Sequence, residues 1–301
     1  MLNMRSSPVL KNFFSFLLLF VSFIFLSRCS INRFPKSVPS QEITGKFLIL
    51  HMTDLHVSTK VTKPSSMPFT HKIRLFGYKF HRLDLYNSKR RLTKAVDLIN
   101  NEIKPGLVLI TGDIVHDKSD TEAYQWAFNE LQKLNVPYVV VPGDHDIDKD
   151  GTKNKEQSWF KPGPFPVVYQ KYKIIGLPPF PSDKDIDWLK SELDRSKEYE
   201  VIVCHHRMLK IPFIMKVFSK LSCPVRAPGA KKILRLLSQY DNIRLVLTGH
   251  SHTNYVSTHY VSGKKKIKYI TTTSLAEYPF EIRLIWISDK DITTKVYSIS
   301  R

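Results

Sequence analysis

Five short motifs place aspartate and histidine, two residue types that bind transition metals, at intervals along the 301-residue chain. They are Asp54-x-His56, Gly112-Asp113, Gly143-Asp144-His145-Asp146, His205-His206 and Gly249-His250-x-His252. Carboxylate oxygen and imidazole nitrogen together suit Zn, Mn or Fe better than Mg or Ca. One such motif alone is more often a helix cap. Five in order supply enough ligands for two divalent ions.

Each motif follows a short apolar run that predicts a buried β-strand. The runs are residues 47–50, 107–110, 138–141, 201–204 and 244–247. A helix is predicted from Ser88 to Ile103, and a second is predicted to begin at a capping box formed by Ser119 and Glu122. Ligands of open α/β sheets bind outside the carboxyl ends of the strands. We therefore expect the five motifs to meet there, with further strands between Lys268 and about Ser298.

The order and spacing of these motifs, over roughly residues 46 to 275, resemble those of the calcineurin-like metallophosphoesterases. Their pattern is D-x-H, G-D, G-N-H-(D/E), a His after an apolar strand, and G-H-x-H. The resemblance implies a four-layer α/β/β/α fold in which helices flank two mixed β-sheets. It also implies hydrolysis of a phosphodiester or phosphomonoester by a hydroxide that bridges two divalent ions, with Mn, Fe and Zn as the candidates.

The same resemblance implies a role for each motif residue. His145 would contact the phosphate and protonate the leaving oxygen. Asp113 would bridge two ions, each held by three further side chains: Asp54, His56 and His252 for one ion, and Asp144, His205 and His250 for the other. His206 stays open as the alternative to His205, with the first His of the pair preferred.

Two positions near His145 depart from the family pattern. Asp144 stands where the family has Asn, and its charge should tighten cation binding while making the ion pair a poorer electrophile. His116 stands where many members carry Asp or Asn, and in those with Asp this residue orients the catalytic His. Asp117 and Asp146 are the open candidates for that task in this chain.

Arg207 follows the His pair where Pro is commoner. It is either a substrate-binding clamp for the phosphate or a surface charge, and the surface charge is favoured because exposed arginines seldom make specific contacts. The loop from Arg207 to Pro228 is interpreted as a second wall of the site or as a packed helix. Cys204 is expected to be buried and inert, and a bridge to Cys223 stays open. Four histidines without motif context are expected to be structural or solvated: His51, His71, His81 and His259.

The first 45 residues differ in composition from the rest. Residues 13–26 are almost entirely apolar and follow Arg5 and Lys11, as in a secretory signal peptide, and they are shorter than the ~20 residues of a spanning helix. The segment from Leu26 to Ser30 resembles a lipobox in which Cys29 is lipidated. Residues 1–29 are thus interpreted as a signal peptide with lipobox or a membrane anchor, 30–45 as a tether and 46–301 as the metallophosphoesterase domain. This predicts membrane attachment at the cell envelope, with the orientation open.

The chain carries 46 Lys and Arg against 27 Asp and Glu, a formal net charge of +19. Part of this charge lies in a basic, aromatic insertion at residues 57–90, directly after the first motif. The insertion is either a solvated loop or an element that contacts a membrane surface. No recognised nucleic-acid module appears, so nucleic acid is an unlikely partner despite the charge.

These features favour an enzyme at the envelope whose phosphoester substrate is a phosphorylated lipid, a headgroup or an extracytoplasmic nucleotide. A domain facing the cytoplasm would instead favour a cyclic-nucleotide phosphodiesterase. The alternative of another class is a membrane-associated binding module on the same scaffold, with catalysis weakened through Asp144.

Overall fold

The computed structural model describes residues 45–63, 83–147, 160, 163–212, 226–261 and 265–299. The chain divides into two units, Met1–Pro39 and Ser40–Arg301, and the described residues belong to the second. The predicted lipobox or anchor at 1–29, most of the tether, residues 64–82 of the insertion and Cys223 lie outside the described residues. Within the described ranges, no helix is both long and apolar enough to cross a membrane.

The described part of the chain contains both strands and helices, and its last five elements are strands. The strands are β1 (Phe47–Met52), β2 (Leu107–Thr111), β3 (Tyr138–Val141), β4 (Phe165–Tyr169), β5 (Tyr172–Leu177), β6 (Glu200–His205), β7 (Ile243–Thr248), β8 (Tyr255–Val261), β9 (Lys265–Thr271), β10 (Glu281–Ile287) and β11 (Ile292–Ser298). The helices are α1 (Ser88–Leu98), which continues into a π-helical turn (Ile99–Ile103), α2 (Thr121–Leu131), α3 (Asp183–Asp194) and α4 (Ala230–Leu237).

The strands form two mixed sheets. The first has the order β11-β10-β1-β2-β3, in which β1, β2 and β3 run parallel and β10 is antiparallel to both of its neighbours, β1 and β11. The second has the order β4-β5-β6-β7-β9-β8, with parallel strands at the centre and an antiparallel strand at each edge. The motif-bearing strands are β1, β2 and β3 of the first sheet, and β6 and β7 of the second.

The two sheets pack face to face through an apolar core that includes Ile49, Leu109, Ile202 and Leu247. On the other face of the second sheet, α3 and α4 bury apolar side chains against β6 and β7. The units β1-α1-β2 and β2-α2-β3 connect neighbouring parallel strands in one direction, so right-handed crossovers put α1 and α2 on the same face of the first sheet. The second sheet occupies the opposite face, and the predicted α/β/β/α sandwich is confirmed.

The cap of α2 differs from the sequence prediction. The capping box at Ser119 is wrong by one residue, because the Asp120 carboxylate accepts the capping hydrogen bond from the amide of Ala123 at 3.0 Å. The Ser119 hydroxyl instead donates to Asp117 at 2.8 Å. Asp120 also accepts from the amide of Thr59 at 2.9 Å. One carboxylate thus joins α2 to the segment that follows β1.

Candidate metal centre

The motif residues lie in tight turns where their strands end, and many have unusual backbone conformations. A positive φ between 44° and 59° is found at five of them: Asp54, His56, Asp113, His250 and His252. The left-handed region costs a non-glycine residue on the order of 1 kcal/mol or more, and it persists only where surrounding structure enforces it. Such strain concentrates at functional sites.

Backbone hydrogen bonds hold the first two turns together. The amide of Asp54 donates to the carbonyl of Gly112 at 2.9 Å, and the amide of His56 donates to the carbonyl of Asp113 at 2.9 Å. Gly112 has φ +89°, and a Cβ there would lie 2.5 Å from the backbone nitrogen of Gly143. Glycine is therefore required at Gly112 and Gly143, because the turns after β2 and β3 approach each other closely there.

A first cluster consists of Asp54, His56 and His252, all within reach of one cation. His252 Nε2 lies 3.1 Å from Asp54 Oδ1 and 3.4 Å from His56 Nε2. Burial lowers the pKa of His56 to about 3. Burial alone would lower the pKa of His252, but the carboxylates of Asp54 and Glu277 outweigh it and raise this pKa to about 9.

Glu277 is a functional residue that the sequence analysis missed. Its Oε2 lies 2.8 Å from His252 Nδ1, and its side chain is buried. A carboxylate behind a ligand imidazole fixes the ring orientation and raises its basicity. Glu277 lies in none of the five motifs, so no local sequence signal could have identified it.

A second cluster consists of Asp113, Asp144, His206 and His250. Asp144 Oδ1 lies 3.0 Å from His206 Nε2 and 2.9 Å from His250 Nδ1. His206 Nδ1 donates to the carbonyl of Thr111 at 2.6 Å, which directs Nε2 towards the two carboxylates. Burial opposes the charged form of His206, but Asp113 and Asp144 raise its pKa well above the ordinary value.

Asp113 lies between the two clusters. Its Oδ2 is 3.6 Å from His56 Nε2 of the first cluster and 3.2 Å from His206 Nε2 of the second. Burial alone would raise the pKa of Asp113, but His206 and His56 hold it below the ordinary value. The carboxylate is therefore ionised and placed to serve a cation on either side.

The structure brings six of the seven predicted ligands together and replaces the seventh, His205, with His206. His205 Nδ1 donates to the carbonyl of Arg207 instead, and burial lowers the pKa of His205 to about 4. His205 is the last residue of β6 and His206 is the first residue after it, and the two rings are held by different carbonyls, those of Arg207 and Thr111. The structure therefore groups the alternative, His206, with the other residues of the second cluster.

The second cluster also contains buried polar atoms that fit a cation. His206 Nε2 lies 3.0 Å from Asp144 Oδ1 and 3.2 Å from Asp113 Oδ2, and Asp144 Oδ1 also lies 2.9 Å from His250 Nδ1. Two carboxylates thus converge on imidazole nitrogens in the protein interior, and a cation between them would balance their negative charge. Two groups of oxygen and nitrogen ligands with the Asp113 carboxylate between them fit two divalent ions.

His145 lies beside both clusters and is held by two backbone contacts. Its amide donates to Asp113 Oδ1 at 2.9 Å, and its Nδ1 donates to the carbonyl of His116 at 2.5 Å. Its ring packs edge-on against His56, with 4.9 Å between centroids. Burial alone would lower the pKa of His145, but the Asp113 carboxylate raises it above the ordinary value. Nε2 is the ring nitrogen left for proton exchange.

Neither carboxylate proposed to orient His145 does so. Asp146 accepts from the amides of Gly143 at 2.8 Å and Ile114 at 3.0 Å, which joins the turns after β2 and β3. Asp117 pairs with Lys60 at 2.6 Å on the surface. The backbone carbonyl of His116 orients the His145 ring instead. The sequence could not reveal this contact, because every residue has a backbone carbonyl.

The interpretation of Arg207 as a surface charge is wrong. The residue is only 7% exposed, and its guanidinium lies 5.2 Å from the ring centroid of Phe180. Its Nη2 is 3.3 Å from His250 Nε2. Arg207 therefore lies directly behind a ligand of the second cluster.

Comparison with known proteins agrees with this geometry. Residues 47–254 match the family model described as calcineurin-like phosphoesterase, well over half of the chain. A "Probable cyclic nucleotide phosphodiesterase" of Psychrobacter arcticus is 23% identical over 234 residues, which cover 71% of this chain and 77% of the relative. A "Probable glycerophosphodiester phosphodiesterase GpdQ" of Arcobacter nitrofigilis is 26% identical over 187 residues, which cover 58% of this chain and 65% of the relative.

Solved structures share the fold. A dimetal phosphatase from Danio rerio superimposes with a TM-score of 0.59 at 13% identity, over 85% of this chain and 100% of that one. A purple acid phosphatase from yellow lupin seeds gives a TM-score of 0.55 at 13% identity, over 87% of this chain and 52% of that one. The chain belongs to the calcineurin-like phosphoesterase family and is a metallophosphoesterase, a hydrolase of phosphoester bonds.

Proposed function

We propose that this metallophosphoesterase hydrolyses a phosphodiester, with one divalent cation of the Mn, Fe or Zn type in each cluster. The observation that carries this proposal is the position of Asp113 between two groups of ligands, 3.6 Å from His56 and 3.2 Å from His206. A diester is favoured over a monoester because the relatives are named as phosphodiesterases of cyclic nucleotides and of glycerophosphodiesters.

The side chains divide the work between cation binding and proton transfer. When bound, the two cations supply Lewis acidity at the phosphoryl oxygens and activate a water molecule. His145 keeps its Nδ1 proton on the carbonyl of His116, so Nε2 can protonate the departing alkoxide. Asp113 fixes the backbone of His145 through Oδ1 while Oδ2 faces the clusters. Arg207, buried beside His250, is the candidate donor to a phosphoryl oxygen.

We further propose that the enzyme acts at the cell envelope, attached through residues 1–29. The support is the apolar run at 13–26 after Arg5 and Lys11, with Cys29 in a lipobox-like context. Cells expressing the full chain or Cys29→Ala would be fed a labelled fatty acid and fractionated. Label and membrane association in the wild type alone support a lipoprotein, whereas unlabelled membrane-bound protein in both supports a signal anchor. Soluble wild type contradicts the attachment.

The activity is tested on the full chain purified in detergent and stripped of metal. Bis(4-nitrophenyl) phosphate and 4-nitrophenyl phosphate serve as diester and monoester, with Mn, Zn, Fe and Mg added singly. We expect metal-dependent turnover that favours the diester and is lost in Asp113→Ala but kept in Asp117→Asn, a matched change of a surface carboxylate. Turnover without metal, or a preference for the monoester, contradicts the proposal. A cyclic nucleotide and a glycerophosphodiester then separate the two substrate classes.

The binding module remains a second candidate because Asp144 adds a carboxylate to the second cluster. Asp144→Asn removes that charge with little change of shape. A large gain in turnover would support a scaffold whose catalysis Asp144 suppresses. Turnover close to that of an active wild type would instead make Asp144 a tolerated ligand.

A further inference from the structure

Each imidazole that faces a cluster has an outer nitrogen, and the partner of that nitrogen affects how the inner one binds a cation. The outer nitrogen of His252 faces the Glu277 carboxylate at 2.8 Å. That of His206 faces the carbonyl of Thr111 at 2.6 Å. Both partners are hydrogen-bond acceptors, so the outer nitrogen carries a proton and the inner nitrogen can present its lone pair to a cation.

His250 has the opposite arrangement. Its inner nitrogen, Nδ1, lies 2.9 Å from Asp144 Oδ1, while its outer nitrogen, Nε2, lies 3.3 Å from Arg207 Nη2. A guanidinium can only donate, so this contact places the lone pair on Nε2 and the proton on Nδ1. His250 then turns an N–H group towards the cluster. A cation at Nδ1 needs the other tautomer, in which two donors face each other at Nε2.

Water has little access to this contact. Arg207 is 7% exposed and the side chain of His250 is 13% exposed, and the guanidinium lies 5.2 Å from the centroid of the Phe180 ring. Charges interact more strongly where water is excluded, so the guanidinium also opposes a cation through its own charge. The tautomer and the charge act in the same direction.

We propose that Arg207 competes with a divalent cation for His250, so that the second cluster binds its cation only when the guanidinium turns away from Nε2. This inference rests on the two-cation site proposed above and concerns the regulation of that site. Arg207 is thus a positioning residue that sets the cation affinity of the second cluster, whereas the described partner of His252 in the first cluster, Glu277, is a hydrogen-bond acceptor.

The test measures cation binding rather than turnover. Full-length, metal-stripped protein in detergent is titrated with Mn²⁺. Bound ions are counted by calorimetry and by the loss of the electron paramagnetic resonance signal of free Mn²⁺. We expect two binding steps in the wild type. Arg207→Met should tighten the weaker step about 10-fold and leave the stronger step unchanged. Arg207→Gln should tighten it at least as much, because its amide oxygen can accept from Nε2.

Two further variants separate the effect of the Arg207 contact from the effect of net charge. Arg235→Met on the exposed face of α4 makes the same change of net charge away from the clusters and should leave both steps within twofold of the wild type. Arg207→Lys keeps the positive charge but loses the planar fork, and we expect an intermediate gain. It also supplies the test if Arg207→Met does not fold.

The outcomes distinguish this inference from the function beneath it. Two bound ions whose weaker step changes less than twofold in the Met, Gln and Lys variants overturn the competition and leave the two-cation site standing. An equal gain in Arg235→Met also overturns it, because the effect would then be one of net charge. A wild type that binds one ion or none at saturating Mn²⁺ contradicts the two-cation site itself.

Discussion

The two ligand clusters meet at Asp113 but differ in what lies behind their imidazoles. Behind His252 of the first cluster is the carboxylate of Glu277, which accepts a hydrogen bond from the ring. Behind His250 of the second cluster is the guanidinium of Arg207, which can only donate. The partners of the outer nitrogens therefore favour cation binding by the inner nitrogen of His252 and oppose it at the inner nitrogen of His250. The comparison teaches that a ligand motif specifies where a cation can bind, and that the outer partner contributes to how tightly it binds.

The largest effect is expected from Asp113→Ala, which removes the carboxylate common to both clusters. Loss of either cation removes Lewis acidity at the phosphate, so turnover should fall about 10³-fold or more. Calorimetry with Mn²⁺ should show both binding steps weakened. If only one step weakens, Asp113 belongs to one cluster and the two are not joined by a shared ligand.

His145→Ala should separate chemistry from cation binding. General acid catalysis contributes about 10²–10⁴-fold, so kcat should fall within that range while both Mn²⁺ steps stay unchanged. His259→Ala, which removes an exposed imidazole from β8, is the matched control and should retain full turnover. Weakened cation binding in His145→Ala would make His145 a ligand and change the membership of the clusters.

Glu277→Gln is the counterpart of the Arg207 variants on the other side of the comparison. It removes the carboxylate that accepts from His252 Nδ1, so the stronger Mn²⁺ step should weaken about 10-fold and the weaker step should not change. The opposite result, with the weaker step affected, would reverse the assignment of the two affinities to the two clusters.

The smallest effect is expected from Asp120→Ala, which removes the cap of α2 and its link to Thr59 near the first cluster. Loss of a cap costs about 1 kcal/mol of the free energy of unfolding. Burial alone would raise the pKa of Asp120, but hydrogen bonds from Thr59 and Ala123 lower it. The contribution of the carboxylate is therefore complete above its unfolded pKa of about 4 and is lost at lower pH.

Urea unfolding of the wild type and Asp120→Ala at neutral pH and near pH 3 measures this difference. The gap in unfolding free energy should narrow at the lower pH. Glu122→Ala, an exposed change in the first turn of the same helix, should cost less at neutral pH. An equal cost for both variants would show that the cap and its link to Thr59 contribute nothing specific.

The sequence alone predicts the parts of the molecule that depend on local pattern. The motif strands end within two residues of the ends of the apolar runs, and six of the seven predicted ligands lie in the clusters. The parts that depend on packing could not be predicted in this way. The choice between His205 and His206 depends on how the chain turns where β6 ends at His205. The burial of Arg207 and the approach of Glu277 depend on segments distant in sequence.

The central claim is that two cations flank Asp113, with His206 and not His205 among their ligands. Crystals of the protein grown with Mn²⁺ or Zn²⁺ and measured at the absorption edge of the metal test it directly. The account predicts two anomalous peaks beside Asp113, one next to Asp54, His56 and His252 and the other next to Asp144, His206 and His250. A single peak at saturating metal, or a peak bonded to His205, would contradict it.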